Sequence, residues 1–190
     1  MDNLPGGHEN RGEPKKGGIM VTTTNHVRFK GQPLTLVGNE VTVGQTAPDF
    51  VAVANDLSPV KLSQYRGSVC ILVAVPSLDT PVCSLETRRF NDEVRDMGEG
   101  VKALAISMDL PFAQKRWCDE HDIREVVAVS DHRDAEFGMN YGVLIQELRL
   151  LARAVFVVDR DGVLRYRQLV EETTNEPDYD EVLDAAKKLI

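Results

Sequence analysis

The order of apolar and polar positions along the chain predicts alternating strands and helices. Val69–Val75, Val101–Met108 and Val126–Ser130 are almost continuous apolar runs of strand length, which is typical of strands buried on both faces. Each of these runs is followed by a predicted helix, and the three helices are Val82–Met97, Pro111–His121 and Asp134–Tyr141. A fourth predicted helix, Pro177–Ile190, closes the chain. Such alternation favours parallel strands that are joined by right-handed helical crossovers.

The remaining strand-like segments indicate antiparallel additions to this core. They are predicted to form two hairpins and one single strand: His26–Lys30 with Pro33–Val37, Leu151–Asp159 with Val163–Val170, and Phe50–Ala54. The closing hairpin gives the sheet an antiparallel side. We therefore predict a mixed sheet with helices on both faces.

The helix Val82–Met97 is expected to bury one side against this sheet. The apolar residues on that side are Val82, Leu85, Phe90, Val94 and Met97.

Composition and charge narrow the function classes. The 190 residues carry a net charge of −8, which argues against nucleic acid or an anionic membrane as the main partner. No apolar run approaches the roughly 18 residues of a membrane helix. Residues 1–20 are Gly/Pro-rich and polar and show no secretory signal, so we expect a disordered tail, one domain over residues 21–190 and a cytoplasmic protein.

The segment that precedes Val82–Met97 places a cysteine in the first turn of a helix. Thr80 suits the N-cap, Pro81 suits the first helical position, and Cys83 then falls at the third. A sulfur there lies near unpaired backbone N–H groups and the positive end of the helix dipole, which favours the thiolate. The residues alone leave a second interpretation open, in which Cys83 is a small apolar helix residue.

Arg153 is the second unusual residue, because it interrupts the apolar run Leu150–Val158. A buried guanidinium needs an anionic or polar partner, since an isolated buried charge is very costly. One interpretation is a structural salt bridge with one of the chain's acids. The other is an anion site at the end of the sheet, for which a thiolate at a helix start would be a suitable partner.

Pro76–Cys83 reads Pro-x-x-x-Thr-x-x-Cys, which resembles the active-site motif of the peroxiredoxins. The full string Pro-Ser-Leu-Asp-Thr-Pro-Val-Cys resembles the thiol peroxidase branch of that family, as do Asp109–Gln114, Ala152–Val155 and Glu176–Tyr179. The resemblance covers about residues 26–190. It implies a thioredoxin-like α/β fold, with a central mixed sheet flanked by helices and an N-terminal β-hairpin.

The resemblance also implies roles for single residues. Cys83 would be the peroxidatic cysteine that attacks a hydroperoxide, with Thr80 and Arg153 stabilising the sulfur and the peroxide and Pro76 shielding the sulfur from water. Cys118 would be the resolving cysteine, which forms an intramolecular disulfide with Cys83. Family members need no bound cofactor and are usually recycled by thioredoxin. The resemblance also implies a homodimer.

Several alternatives remain open at this stage. Cys118 could be incidental in a one-cysteine peroxidase, or the chain could be a non-catalytic binding module of the same fold. A thiol-disulfide oxidoreductase is weakened by the missing CxxC. Cys70 is expected to be a core residue, and no histidine spacing indicates a metal site. If Cys118 does resolve Cys83, we expect both of their helices to unfold in part.

Overall fold

The computed structural model describes residues 21–190, with side chains from residue 27 onward. The predicted tail, residues 1–20, lies outside the described residues. Within residues 21–190, none of the helices combines the length and the apolar composition needed to cross a membrane.

The described chain forms eleven strands and four α-helices, with a 3-10 turn at Leu62–Tyr65. The strands are β1 Val21–Phe29, β2 Gln32–Gly38, β3 Val51–Ala54, β4 Pro59–Lys61, β5 Val69–Ala74, β6 Val101–Ser107, β7 Val126–Ser130, β8 Leu144–Ile145, β9 Leu150–Leu151, β10 Ala154–Val158 and β11 Leu164–Leu169. The helices are α1 Pro81–Met97, α2 Pro111–Glu120, α3 Glu136–Asn140 and α4 Tyr179–Lys187.

The strands form two sheets. The central sheet has seven strands in the order β11-β10-β5-β6-β7-β3-β4, with β5, β6 and β7 parallel and the other pairs antiparallel. The second sheet has the order β1-β2-β8-β9 and contains the N-terminal hairpin. The predicted mixed sheet, flanking helices and hairpin are therefore confirmed.

Strand β5 separates the two halves of the core. Its residues alternate, so that Cys70 and Leu72 belong to one apolar cluster and Ile71 and Val73 to the other. The first cluster also contains side chains from α3 and the second sheet, whereas the second contains side chains from α1, α2 and α4. A strand covered on both faces explains the continuous apolar run in the sequence.

The predicted strand Leu151–Asp159 is wrong at its start. The chain forms β9 in the second sheet, leaves that sheet at Ala152 and Arg153, and enters the central sheet as β10. The break lets the Arg153 guanidinium reach polar partners. The two-residue strands β8 and β9 and the three-residue β4 were not predicted, because such short segments leave no readable periodicity.

The predicted inner side of α1 is also wrong in part. Leu85 is 52% exposed, and the residues that α1 buries are Cys83, Glu86, Thr87, Phe90, Asn91 and Val94. The buried side is therefore partly polar at the start of the helix. A pattern based on apolar residues misses such a face, and this polar part is where the site lies.

Candidate active site

The site begins where β5 ends. Val75 follows the strand and still bonds through its N–H to Ile106 O at 3.0 Å, and the half-buried Pro76 then starts the loop that leads to α1. Thr80 is the N-cap of α1 and Pro81 opens the helix, as the spacing predicts. Cys83 therefore lies in the first turn, and it is fully buried.

The Thr80 hydroxyl is in direct contact with the sulfur. Its Oγ1 lies 2.7 Å from Cys83 Sγ and accepts a weak hydrogen bond from the Cys83 N–H at 3.4 Å. The same oxygen lies 3.2 Å from Ser77 O, which is a second acceptor for its single proton. The much shorter distance to the sulfur favours donation to Cys83 when that residue is a thiolate.

The register of β10 on β5 brings Arg153 to the same place. Ala154 pairs with Ala74, the last residue of β5, so Arg153 lies beside the chain that leads to α1. Its Nη2 is 3.2 Å from Cys83 Sγ, although the two residues are 70 positions apart in the sequence. Nε and Nη2 also donate to Thr173 O, each at 3.1 Å, which fixes the plane of the guanidinium.

Glu86 is the third group around the guanidinium, and sequence reasoning missed it. Its Oε2 accepts a hydrogen bond from Arg153 Nη1 in a buried ion pair, while its Oε1 has no hydrogen-bond partner in the described part of the chain. A usable signal existed, because a residue three positions after Cys83 lies on the same side of a helix. The two interpretations of Arg153 are therefore compatible: its guanidinium forms a buried salt bridge and also contacts the sulfur.

Burial and the neighbouring charge shift the pKa of Glu86 in opposite directions, and the same holds for Arg153. Burial raises the pKa of Glu86 to about 7, although the nearby Arg153 charge lowers it. For Arg153, burial works to lower the pKa, but the charges of Glu86 and Cys83 outweigh it and the pKa is raised. Arg153 therefore stays positively charged, whereas burial holds the pKa of Glu86 above its ordinary value.

The other two cysteines have different surroundings. Cys118 lies in α2, is 8% exposed, and shares the apolar cluster of Cys83. Burial raises its pKa. Cys70 lies on the opposite face of the sheet, and burial raises its pKa to about 11. All three thiols are free.

The structure thus brings Thr80, Cys83 and Arg153 into contact, with Pro76 at the start of their loop and Cys118 on a separate helix. A sulfur between a hydroxyl and a guanidinium suits an anion, and the same donors can stabilise charge on an oxygen that approaches the sulfur. Among residues 21–190, no group of three or more His, Cys, Asp or Glu side chains could hold a metal ion.

Comparison with known proteins agrees with this chemistry. A family profile described as Redoxin matches residues 42–183. The thiol peroxidase of Halalkalibacterium halodurans is 52% identical over 161 residues, which cover 85% of this chain and 96% of the relative. The thiol peroxidase of Bacillus subtilis is 50% identical over 164 residues, which cover 86% of this chain and 98% of the relative.

Solved structures give the same fold. The peroxiredoxin-like protein from Aquifex aeolicus matches with a TM-score of 0.82 and 46% identity, over 91% of this chain and 100% of that protein. The thiol peroxidase from Chromobacterium violaceum matches with a TM-score of 0.76 over 85% of this chain and 95% of that protein, but at 22% identity this likeness concerns the fold alone. From the profile, the relatives and the fold together, the chain belongs to the redoxin family and, within it, to the thiol peroxidase branch of the peroxiredoxins.

Proposed function

We propose that this protein is a thiol-dependent peroxidase that reduces hydrogen peroxide and organic hydroperoxides to water or alcohols through Cys83. The observation that carries the proposal is the position of Cys83 Sγ, 2.7 Å from the Thr80 hydroxyl and 3.2 Å from Arg153 Nη2. The thiol peroxidases that are about half identical to the chain support the same reaction.

In the first step, the Cys83 thiolate attacks one oxygen of the O–O bond. A sulfur–oxygen bond forms, the O–O bond breaks, and the leaving oxygen takes up a proton to become water or an alcohol. Arg153 and Thr80 donate hydrogen bonds to the sulfur and to the peroxide oxygens, which stabilises the negative charge as it moves from the sulfur to the leaving oxygen. Pro76 limits the access of water to the sulfur. Cys83 is left as a sulfenic acid.

In the second step, the Cys118 thiolate attacks the Cys83 sulfenic sulfur. A sulfur–sulfur bond forms, and the hydroxyl of the sulfenic acid leaves as water after it takes up a proton. A dithiol reductant, proposed to be thioredoxin, then returns both cysteines to thiols by disulfide exchange. Because a disulfide needs Cα atoms within about 7 Å, we expect the first turn of α1 and part of α2 to unwind before the bond forms.

The test is mass spectrometry after one equivalent of hydroperoxide. We expect an intramolecular Cys83–Cys118 disulfide, with Cys70 still reduced because it lies on the other face of the sheet. Cys83→Ser should abolish peroxide reduction, and Cys70→Ser is the matched control that should retain it. A protein that leaves hydroperoxide unreduced would favour a non-catalytic binding module instead.

Cys118→Ser separates the two peroxidase schemes. If Cys118 resolves the sulfenic acid, turnover with thioredoxin collapses while one round of Cys83 oxidation persists. Undiminished turnover would identify a one-cysteine peroxidase in which Cys118 is incidental. The cytoplasmic location and the homodimer are proposals from the family resemblance, and sedimentation analysis of the purified chain tests the second.

A further inference from the structure

The two cysteine-bearing segments are joined by a chain of hydrogen bonds through Asp109, which the mechanism above does not use. Asp109 lies two residues before Pro111, the first residue of α2. Its Oδ2 accepts hydrogen bonds from the Leu78 N–H at 2.8 Å and from Ser107 Oγ at 2.7 Å. Ser107 Oγ in turn accepts one from Gln114 Nε2 at 2.9 Å.

All the donors in this row of hydrogen bonds point toward the Asp109 carboxylate. The Ser107 hydroxyl has a single proton, and its donation to Asp109 leaves the serine oxygen free to accept the Gln114 amide. Ser107 and Gln114 are fully buried, so water does not replace these bonds at low cost. Hydrogen bonds that polarise one another and end on an anion are stronger than isolated neutral ones.

The two ends of this row of hydrogen bonds, Leu78 and Gln114, lie within five residues of the proposed reacting cysteines in the sequence. Leu78 lies in the loop before α1, two residues ahead of the N-cap Thr80 and five ahead of Cys83. Gln114 lies in α2, four residues and therefore one helical turn before Cys118. A displacement of Gln114 removes the donor to Ser107 and thereby weakens, through Ser107 and Asp109, the hydrogen bond that holds Leu78.

We propose that Asp109 is a positioning residue that couples the two cysteine segments and holds the start of α1 in its peroxide-reactive form until α2 opens. This inference rests on the proposed function, because it requires Cys118 to leave α2 and reach Cys83. When α2 unwinds, Gln114 leaves Ser107 and the hold on the Leu78 loop weakens. Asp109 therefore favours the attack of Cys83 on peroxide and opposes disulfide formation.

The experiment compares the two steps in Asp109→Ala and in the unmodified protein. Trp117 is the single tryptophan and precedes Cys118, so its fluorescence in stopped flow reports the opening of α2. We expect disulfide formation to become roughly tenfold faster or more, as suits the loss of hydrogen bonds to a carboxylate. The peroxide step should become slower, and less Cys83 sulfinic acid should accumulate at high peroxide.

Two further variants separate coupling from general damage. Asp109→Asn keeps an oxygen acceptor for the Leu78 N–H and should bring both rates back toward those of the unmodified protein, but not fully, because the amide oxygen carries no charge. Asp159→Ala is the matched control, because Asp159 also accepts backbone N–H groups, from Asp161 at 3.0 Å and Val163 at 2.8 Å, but at the β10–β11 turn. It should leave the ratio of the two rates unchanged.

The outcomes distinguish this inference from the proposed function. If the unmodified protein forms the disulfide and Asp109→Ala forms it at the same or a lower rate, the coupling is wrong while the proposed function stands. If the unmodified protein forms no Cys83–Cys118 disulfide, the proposed resolving step itself is wrong. Should Asp109→Ala fail to fold, Gln114→Met cuts the same chain at its α2 end and is expected to accelerate disulfide formation.

Discussion

At the scale of single residues, one buried cation is shared between two groups that can carry negative charge. Arg153 contacts both Glu86 and Cys83, and all three side chains are buried. One guanidinium compensates about one full charge in a buried site. The protonation state of Glu86 therefore affects how much of the Arg153 charge is available to the sulfur.

Arg153→Met removes the charge and keeps much of the side-chain volume. We expect the rate of Cys83 oxidation by hydroperoxide to fall by about 100-fold or more, because a fixed donor to the developing charge is lost. Stopped-flow fluorescence at a series of peroxide concentrations measures this rate. Arg167→Met is the control, since Arg167 lies partly exposed on β11 and pairs with Glu40.

Arg153→Met also leaves Glu86 buried without its partner. The double variant Glu86→Gln with Arg153→Met removes that penalty, and it should be as slow as the single variant while unfolding at higher denaturant. An oxidation rate that recovers in the double variant would contradict a direct role of Arg153.

Glu86→Gln tests the raised pKa of Glu86 through its effect on the free energy of unfolding. Burial raises the pKa of Glu86 to about 7, so the folded protein holds this proton more tightly than the unfolded chain does. The stabilisation is complete below the usual glutamate range and is lost as the pH rises through about 7. The free energy of unfolding of Glu86→Gln relative to the unmodified protein should therefore rise by on the order of 3 kcal/mol between about pH 4 and about pH 8.

Urea titrations at the two pH values measure this difference. Glu120→Gln, which neutralises an exposed carboxylate on α2, controls for the loss of one negative charge. A difference between Glu86→Gln and the unmodified protein that stays constant with pH would show that Glu86 has the same pKa in the folded and the unfolded protein.

At the scale of elements, the start of α1 combines a structural and a chemical task in one side chain. The Thr80 hydroxyl caps the helix by accepting the Cys83 N–H, and it lies 2.7 Å from the sulfur. A hydroxyl can do both, because it donates one proton while its oxygen accepts another. The stability of the helix start and the reactivity of the sulfur are therefore linked.

Thr80→Val and Thr80→Ser separate shape from hydrogen bonding. Thr80→Val keeps the branched shape without the hydroxyl, and we expect it to lower the free energy of unfolding by about 1 kcal/mol and to slow Cys83 oxidation. Thr80→Ser keeps the hydroxyl and should stay close to the unmodified protein in both. Equal peroxide reactivity in the two variants would contradict the contact between hydroxyl and sulfur.

At the scale of the whole molecule, the N-terminal hairpin supports the loop that holds Arg153. Thr173 O accepts two hydrogen bonds from Arg153, and the Thr173 N–H and hydroxyl both donate to Arg28 O in β1. Next to it, the Glu172 carboxylate accepts the N–H groups of Lys30 and Gly31 at the β1–β2 turn. Both turn residues have positive φ, which directs their N–H groups to one anion.

The tie between hairpin and loop should weaken in acid. The Gly31 N–H, together with Thr174 and Lys30, lowers the pKa of Glu172 to about 2. Its stabilising contribution is present above the usual glutamate range and is lost as the pH falls toward about 2. The amide resonances of Lys30 and Gly31 should titrate with a midpoint near that value. The same resonances should be insensitive to pH in Glu172→Gln, and a midpoint in the ordinary glutamate range would contradict the tie.

The capped helix start with Cys83 in its first turn was predictable, because Thr80 and Cys83 interact over three positions of one segment. The buried central strands were predictable as well, since each one carries its own apolar run. The polar inner side of α1 was not, because Glu86 reads as a surface residue unless its buried partner is known.

By itself, the sequence determined the local features of this protein: which segments form strands and helices, and where a cysteine meets a helix start. Only the tertiary structure decided which groups surround that cysteine. The pairing of Ala154 with Ala74 places Arg153 against Cys83 and Glu86, and the return of the chain after β6 places Asp109 against Leu78. The chain contains 30 acidic residues, any of which could pair with a buried arginine as far as composition tells. The choice among them depends on strand register and packing between distant segments, which no single segment encodes.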